Sequence, residues 1–316
     1  MKPRLFISSS AEALRKAEFV KSELESVVDC VIWTEGVFKL NTSALDTLLL
    51  ESVVSDYSVF LATPDDFMES RGEAFTIPRD NIIFEFALFL GAKGKRKTFL
   101  LAHKDVKLPS DMQGIVVGIY DQEVTGHDSL RAKCEEIKKS IQNSAGFGEL
   151  GWLPSTALAI GYFQSFVRSV CEVMHAGAKV HHENSPINTN DFKLHILLPK
   201  VLSDDFANSP MIYAKRHGLV KGVIEHPTGI TGKRGYGLHM KIDPSESDIA
   251  HLYDIPMTLN TISETIRLFL GVTYVGKDDN WKHLEARELN NFSTVLGTLI
   301  AQNDCSKHNV VIEEFE

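Results

Sequence analysis

Residues 57–102 read YSVFLATPDDFMESRGEAFTIPRDNIIFEFALFLGAKGKRKTFLLA. Two apolar runs, YSVFLAT (57–63) and TFLLA (98–102), enclose an unusually apolar helical stretch, 79–92, that opens after Pro78. Runs with so few polar positions belong to strands buried on both faces. Proline at a helix start loses no hydrogen bond, because the first N–H groups have no intrahelical partner. A polar loop rich in Asp, Gly, Arg and Pro is expected between the first strand and this helix. Apolar strand, helix, apolar strand is the repeating unit of a parallel sheet covered on both faces.

The same rhythm extends in both directions. RLFIS (4–8) reads as a strand, 11–28 as a helix and DCVIW (29–33) as a second strand. Residues 42–55 look helical, with Asn41 or Thr42 as the expected cap. Ile115–Tyr120 reads as a fifth strand, followed by a helix over 126–143. The prediction is an α/β domain with a five-stranded parallel sheet. SAGFGELGW (144–152) is rich in glycine and small residues and marks a linker. Beyond it the order of elements changes towards α+β. A long helix is expected over 154–176, a polar loop over 177–191 and a strand at FKLHILL (192–198), stopped by Pro199. The Gly- and Pro-rich stretch 225–244 reads as a hairpin. Helices are expected over 256–270 and 283–301, and a final strand at VVIEEF (310–315). The expected organisation is a domain over 1–145, a linker over 146–152 and a second domain over 153–316.

With 316 residues, each half can bury a core of its own. Lys plus Arg number 33 and Asp plus Glu 42, for a formal charge of −9. Phosphate neutralisation supplies most nucleic-acid affinity, so this balance argues against a general nucleic-acid binder. The four cysteines, Cys30, Cys134, Cys171 and Cys305, form no CxxC pair, and no metal is expected. They read as reduced thiols, mostly in cores. No signal-peptide pattern opens the chain and no apolar run is long enough for a membrane span, so the expectation is a cytoplasmic protein without membrane contact.

Ligands of open parallel sheets bind where strands end and helices begin. Ser8, Ser9 and Ser10 hold that position after the first strand. Small hydroxyl residues there let a phosphate approach closely, and they equally suit a helix cap. Glu85 sits between Phe84 and Phe86 in an apolar helix. A desolvated carboxylate is a candidate functional group. Asn81, one turn earlier, shares its face, so the two could also form a narrow solvent-facing stripe.

The blocks CVIWTEGVF (30–38), YSVFLATPDD (57–66) and RGEAFTIPRDNIIFEFALFLG (71–91) resemble the bacterial TIR-like nucleotide-binding domain. The resemblance implies a flavodoxin-like fold and NAD+ glycohydrolase activity, with the catalytic glutamate falling on Glu85. Loss of nicotinamide leaves an oxocarbenium-like ribose, which a nearby carboxylate stabilises. Ser8–Ser10 and Asn81 are then expected to contact NAD+. Trp33 and Phe38 would stack on adenine or shape the pocket, or belong to the core. Asp65, Asp66, Arg71 and Arg79 fit either the rim of this site or a solvated charged loop.

In the second half, ALAIGYFQSFVRSV (157–170) places Tyr162, Phe163 and Phe166 at neighbouring helical positions. This stretch resembles the first helix of the STING cyclic-dinucleotide-binding domain. FKLHILLP (192–199) is similar to that domain's first strand, GITGKRGYG (229–237) to its lid and HLYDIPMTLNTI (251–262) to the start of its ligand-contacting helix. The order is that of bacterial TIR–STING fusion proteins. The resemblance implies that Phe166 stacks on a nucleobase, that Arg234 and Tyr236 close over the ligand, and that Asp254, Pro256 and Thr258 contact it. A carboxylate at Asp254 suits the paired N1–H and N2–H donors of guanine, which adenine lacks, and points to cyclic di-GMP. Asp254 could also cap the helix that follows Pro256. The implied protein is a homodimer along the 157–176 helix. It would be loaded with cyclic di-GMP from a partner nucleotidyltransferase and would assemble into filaments that switch on NAD+ cleavage in a CBASS-type antiphage response. A non-enzymatic adaptor that only recruits partners, and an enzyme that makes a cyclic product from NAD+, are the alternatives.

Overall fold

The computed structural model describes residues 2–35, 43–112, 117–121, 128–146, 154–182, 185–187, 191–203, 205–224, 236–241, 249–270 and 279–315. The chain forms two compact units, Met1–Phe147 and Gly148–Glu316.

The first unit runs β1 (Arg4–Ser8), α1 (Leu14–Leu24), β2 (Asp29–Ile32), α2 (Ala44–Val54), β3 (Tyr57–Ala62), β4 (Asp66–Ser70), β5 (Glu73–Ile77), α3 (Asp80–Lys93), β6 (Thr98–His103), β7 (Val117–Tyr120) and α4 (Asp128–Gly146). Five strands form one parallel sheet in the order β2-β1-β3-β6-β7. This is the doubly wound, flavodoxin-like order, in which the chain reverses direction of growth between β1 and β3. Side chains alternate across the sheet. Leu5 and Ile7 of β1 join a core with α1 and α4, while Phe6 joins a second core with Leu48, Phe60, Phe86 and Phe89. Two layers of helices therefore cover the sheet, and β3 is buried along its whole length.

Three local readings change. The segment expected as a polar loop is a hairpin, β4–β5, closed by Arg71 and Gly72 at φ of 55° and 81°. Positive φ at both central residues matches the right-handed twist of the flanking strands. The Lys107 ammonium sits 3.0 Å from the centroid of Phe75, and the Lys107 backbone N–H donates to the Thr76 carbonyl, which ties this hairpin to the body. Helix α2 is capped by Ser43, whose Oγ accepts from Asp46 N–H at 3.0 Å, rather than by Asn41 or Thr42. Helix α4 continues to Gly146, into the stretch expected as linker.

The second unit contains α5 (Pro154–Tyr162), a π-helical turn (Phe163–Val167), α6 (Arg168–His175), β8 (Val180–His182), β9 (Ser185–Ile187), β10 (Asp191–Pro199), α7 (Ser209–Arg216), β11 (Val220–Ile224), β12 (Tyr236–Lys241), β13 (Ile249–Asp254), α8 (Asn260–Leu270), α9 (Asp279–Gln302) and β14 (Val310–Phe315). Its mixed seven-stranded sheet has the order β14-β10-β13-β12-β11-β8-β9. The stretch 177–191 is not simply a loop. It supplies the antiparallel edge pair β8–β9, where Pro186 removes a donor that an edge does not need. Residues 249–254 form a strand paired in parallel with β10, so the block 251–262 that resembles the start of a ligand-contacting helix begins as strand, and the helix expected over 256–270 follows as α8 from Asn260. The alternation along the strand explains this. Ala250 and Leu252 are buried, and His251 and Tyr253 face the other way. On that second face His195 of β10 bonds His251 of β13 at 2.9 Å and Glu313 of β14 at 2.7 Å, stitching three neighbouring strands together.

Buried carboxylates hold α9 in place. Glu285 accepts from Leu202 N–H at 2.8 Å and from the Trp281 indole at 3.0 Å. Glu288 accepts from Ser155 N–H at 3.2 Å and so satisfies an orphan donor in the first turn of α5. All four cysteines are free thiols. Burial pushes Cys30, Cys134 and Cys171 up to about 12, which leaves them unreactive at neutral pH.

Candidate functional sites

In the first unit, the two-residue period of β1 places Ser8 on the same face as Phe6, towards α3. Helix α3 seats Ile82, Phe86 and Phe89 in the core, and Glu85 flanks that stripe. It is carried to the edge of the buried face, where it is half-buried. There the Ser8 hydroxyl donates to Glu85 Oε2. The other oxygen, Oε1, has no hydrogen-bond partner among the described residues. Burial raises the Glu85 pKa above the ordinary carboxylate range, and the Ser8 hydrogen bond works against that rise. The result is a carboxylate that is poorly hydrated yet anchored in one orientation.

A cavity of about 520 Å3 opens in front of it, at the carboxyl ends of β1 and β2. This volume lies in the range of small-molecule sites, and the position is the switch point between β1 and β3. Ser8, Ser9, Ser10, Trp33, Asn81 and Glu85 all line it. The three serines divide the roles foreseen for them. Ser8 holds Glu85, and Ser9 accepts from the Trp33 indole at 3.3 Å. Ser10 accepts from Ala13 N–H at 3.2 Å and caps the turn into α1. Asn81 is exposed at the rim while Glu85 points inward, so the two do not form one solvent-facing stripe. Phe38 lies outside the described residues. Several lining residues carried no sequence assignment, among them Glu12, Phe84, which is 55% exposed, and Leu48 of α2. The apolar flanks of Glu85 in the sequence were the available signal for Phe84. Nothing local marked Leu48.

In the second unit, the π-helical turn carries the aromatic group. Its wider i→i+5 bonding, with Arg168 N–H donating to Phe163 O, interrupts the α-helical register and is common at functional positions. Phe163 is buried. Phe166 is half-buried and stacks on Tyr162 with centroids 5.4 Å apart and planes at 24°. The Tyr162 hydroxyl donates to Asp254 Oδ2 at 2.5 Å. The structure thus brings Phe166 and Asp254 to either side of Tyr162, a residue the sequence reading had not assigned to the site. Its position one turn before Phe166 was the only hint. Burial pushes Asp254 up to about 6, against the lowering effect of Tyr162 and of the Ile255 N–H. The same burial, with the Asp254 charge, raises Tyr162 well above its ordinary value, so the phenol stays a donor.

Asp254 ends β13 and makes no cap to the helical turn Met257–Leu259. Among the two readings of this carboxylate, the cap is therefore not the one observed. On its outer side Asp254 borders a gap of about 10 Å3 with Tyr213, His239 and Tyr253. Burial and Lys221 lower the pKa of His239, which keeps that imidazole neutral at pH 7. Pro256 is buried and Thr258 exposed. Arg234 lies outside the described residues. Tyr236 opens β12, and its side chain is likewise outside them. Among the described residues, no cluster of three or more His, Cys, Asp or Glu could hold a metal ion, and no helix is long and apolar enough to cross a membrane.

Comparison with known proteins agrees with the two-unit organisation. A family model described as "CAP12/Pycsar effector protein, TIR domain" matches residues 4–122, and one described as "Prokaryotic STING domain" matches residues 154–297. The chain is 41% identical over 314 residues to CD-NTase-associated protein 12 of Sphingobacterium faecium, covering 97% of each chain. Its N-terminal part is 40% identical over 148 residues to the Pycsar effector protein PaPycTIR of Pseudomonas aeruginosa, covering 45% of this chain and 48% of that one. Among solved structures, a bacterial STING in complex with c-di-GMP is 36% identical, covers 54% of this chain and 99% of that one, and superposes with a TM-score of 0.46. The chain belongs to the CD-NTase-associated protein 12 family, as a TIR domain followed by a prokaryotic STING domain.

Proposed function

We propose that this protein is a cyclic-dinucleotide-gated NAD+ glycohydrolase, cleaving NAD+ to nicotinamide and ADP-ribose. Residues 1–145 act as the NAD+-cleaving domain, 146–152 as linker and 153–316 as the cyclic-dinucleotide sensor. The observation that carries this reading is the Glu85 carboxylate, desolvated, fixed by Ser8 and facing a 520 Å3 cavity at the sheet's switch point. As the nicotinamide–ribose bond lengthens, positive charge develops on the ribose. A fixed carboxylate in a poorly hydrated site stabilises that charge without reorganising. Ser8, Ser9, Ser10, Trp33, Phe38 and Asn81 are the proposed NAD+ contacts. An adaptor that only recruits partners has no use for such a group.

In the sensor, the proposed ligand residues are Phe166, Arg234, Tyr236, Asp254, Pro256 and Thr258. Phe166 would stack on a base, and Asp254 would accept from guanine N1–H and N2–H. A carboxylate offers about four acceptor positions, so the bonds from Tyr162 and Ile255 leave capacity for both. This supports cyclic di-GMP as the activating ligand. The relatives' name, CD-NTase-associated protein 12, supports a partner nucleotidyltransferase as its source and an antiphage role for the system. A homodimer along α5 and α6 would present the same residues to both halves of a symmetric ligand. Ligand-driven stacking of dimers into filaments would then bring the catalytic domains together.

The deciding experiment measures NAD+ loss by the purified full-length protein across a panel of cyclic dinucleotides. Cleavage with cyclic di-GMP, little without it, and none in Glu85→Gln is the expected result. Equal cleavage with and without ligand would overturn the gating. Activity in Glu85→Gln would overturn the catalytic assignment, and a response to cyclic di-AMP alone would overturn the guanine argument.

A further inference from the structure

A cavity that takes NAD+ has to accommodate a diphosphate. Among the described residues lining this one, Arg79 is the single cation, beside the carboxylates of Glu12 and Glu85. Its guanidinium is already engaged. Arg79 Nη2 donates to Glu12 Oε1 at 2.9 Å, and Nε lies 3.7 Å from Asp66 Oδ2. Glu12 sits in the turn between β1 and α1, and Asp66 opens the β4–β5 hairpin. Arg79 itself is the residue before α3 and makes no side-chain cap to that helix. Two carboxylates, one from the β1–α1 turn and one from the start of β4, therefore hold the guanidinium at the mouth of the cavity, six residues before Glu85.

The clamp is weak by construction. The three side chains are 43%, 58% and 42% exposed, and ion pairs that water can reach contribute little. A diphosphate offers more than either partner. It carries two charges and can accept a planar guanidinium fork through two charge-assisted hydrogen bonds. When Arg79 leaves, Glu12 and Asp66 remain hydrated and lose almost nothing. The exchange therefore runs towards the diphosphate.

We propose that Arg79 is the diphosphate-recognition residue of the N-terminal cavity, parked on Glu12 and Asp66 until the diphosphate of a pyridine dinucleotide displaces them. This rests on the NAD+ reading and deepens it, because it assigns the anionic part of the substrate to one side chain. Glu12 has a corresponding opposing role. It lines the same cavity, competes for the guanidinium and repels the incoming phosphates.

Steady-state kinetics of the ligand-activated full-length protein test this. In Arg79→Ala the KM for NAD+ should rise roughly 10- to 100-fold, the loss of a hydrogen bond to a charged group, with kcat changed far less. Arg79→Lys should recover part of that loss, and Glu12→Gln should lower the KM. A fall in kcat at unchanged KM in Arg79→Ala, or a higher KM in Glu12→Gln, would overturn the assignment. If the wild-type protein cleaves no NAD+ under any cyclic dinucleotide, the catalytic reading has failed on its own. Calorimetric titration with ADP-ribose, which carries the diphosphate and lacks the scissile bond, then decides the role of Arg79. Binding weakened by Arg79→Ala supports it. Binding of equal strength in the two proteins, or none to wild type, refutes it.

Discussion

Replacing Asp254 by Asn should stabilise the unliganded protein while weakening its response to ligand. Burial raises this carboxyl from its ordinary 3.8 to about 6. At 1.36 kcal/mol for each tenfold change in proton affinity, the ionised form costs the folded state about 3 kcal/mol at neutral pH. The folded protein binds this proton more tightly than the unfolded chain. The stabilising contribution of the neutral acid is therefore complete below pH 3.8, is lost as pH rises through about 6 and stays lost above that. Asparagine imitates the neutral acid: its carbonyl still accepts from the Tyr162 hydroxyl. At pH 7.5 the variant should melt higher by at most about 6–12 °C, taking 2–4 °C per kcal/mol for a unit of this size. The gain should shrink as pH falls below 6. Against guanine, however, the amide presents a donor where an acceptor is required. Loss of a bidentate base contact amounts to about 1–3 kcal/mol, or roughly 5- to 150-fold in affinity. Thermal melting of wild type and variant at pH 5, 6 and 7.5, with and without cyclic di-GMP, reads both effects. A variant less stable than wild type at pH 7.5 would refute the burial argument. A variant that keeps the full ligand-induced shift would refute the guanine contact.

Three other perturbations follow from the same geometry. In Ser8→Ala, Glu85 loses the bond that lowers its pKa while burial still raises it, so the acid limb of the kcat/KM pH profile for NAD+ should move to higher pH; an unmoved limb would dissociate Ser8 from Glu85. Phe166→Ala should weaken cyclic di-GMP binding by about 1–3 kcal/mol, the scale of a base–aromatic stack, measured by titration of the ligand. Glu285→Ala orphans two buried donors, Leu202 N–H and the Trp281 indole, and should lower unfolding stability by about 2–4 kcal/mol, seen as a lower urea midpoint at unchanged slope.

The parallel sheet of the first unit was legible because β1, β3 and β6 are apolar runs that only a doubly covered sheet explains. The β4–β5 hairpin was not. DFMES and EAFTI are short, carry charges and surround Arg71-Gly72, and what makes them strands is a turn with two positive φ angles and their pairing with each other. HLYD at 251–254 carried no strand assignment either. Six residues are too short for a clear period, and the parallel pairing with β10 makes 249–254 a strand. The helical spacing of 154–176 was clear, but the π turn inside it leaves no trace in a hydrophobic period.

The candidate sites divide in the same way. Composition and spacing by themselves determined that Glu85 lies in an apolar helix, that three serines end the first strand and that Asp254 precedes a helical segment. These are properties of neighbouring residues, and neighbouring residues share one local geometry. Only the tertiary structure decided that Ser8 meets Glu85 across 77 positions, that Tyr162 meets Asp254 across 92 and that Arg79 is held by Glu12 and Asp66 from separate segments. Such pairs depend on which sheet face a strand residue takes and which helix the crossover returns to that face. A one-residue change in register would reverse each of those outcomes, and packing of the whole core, not any local pattern, sets the register.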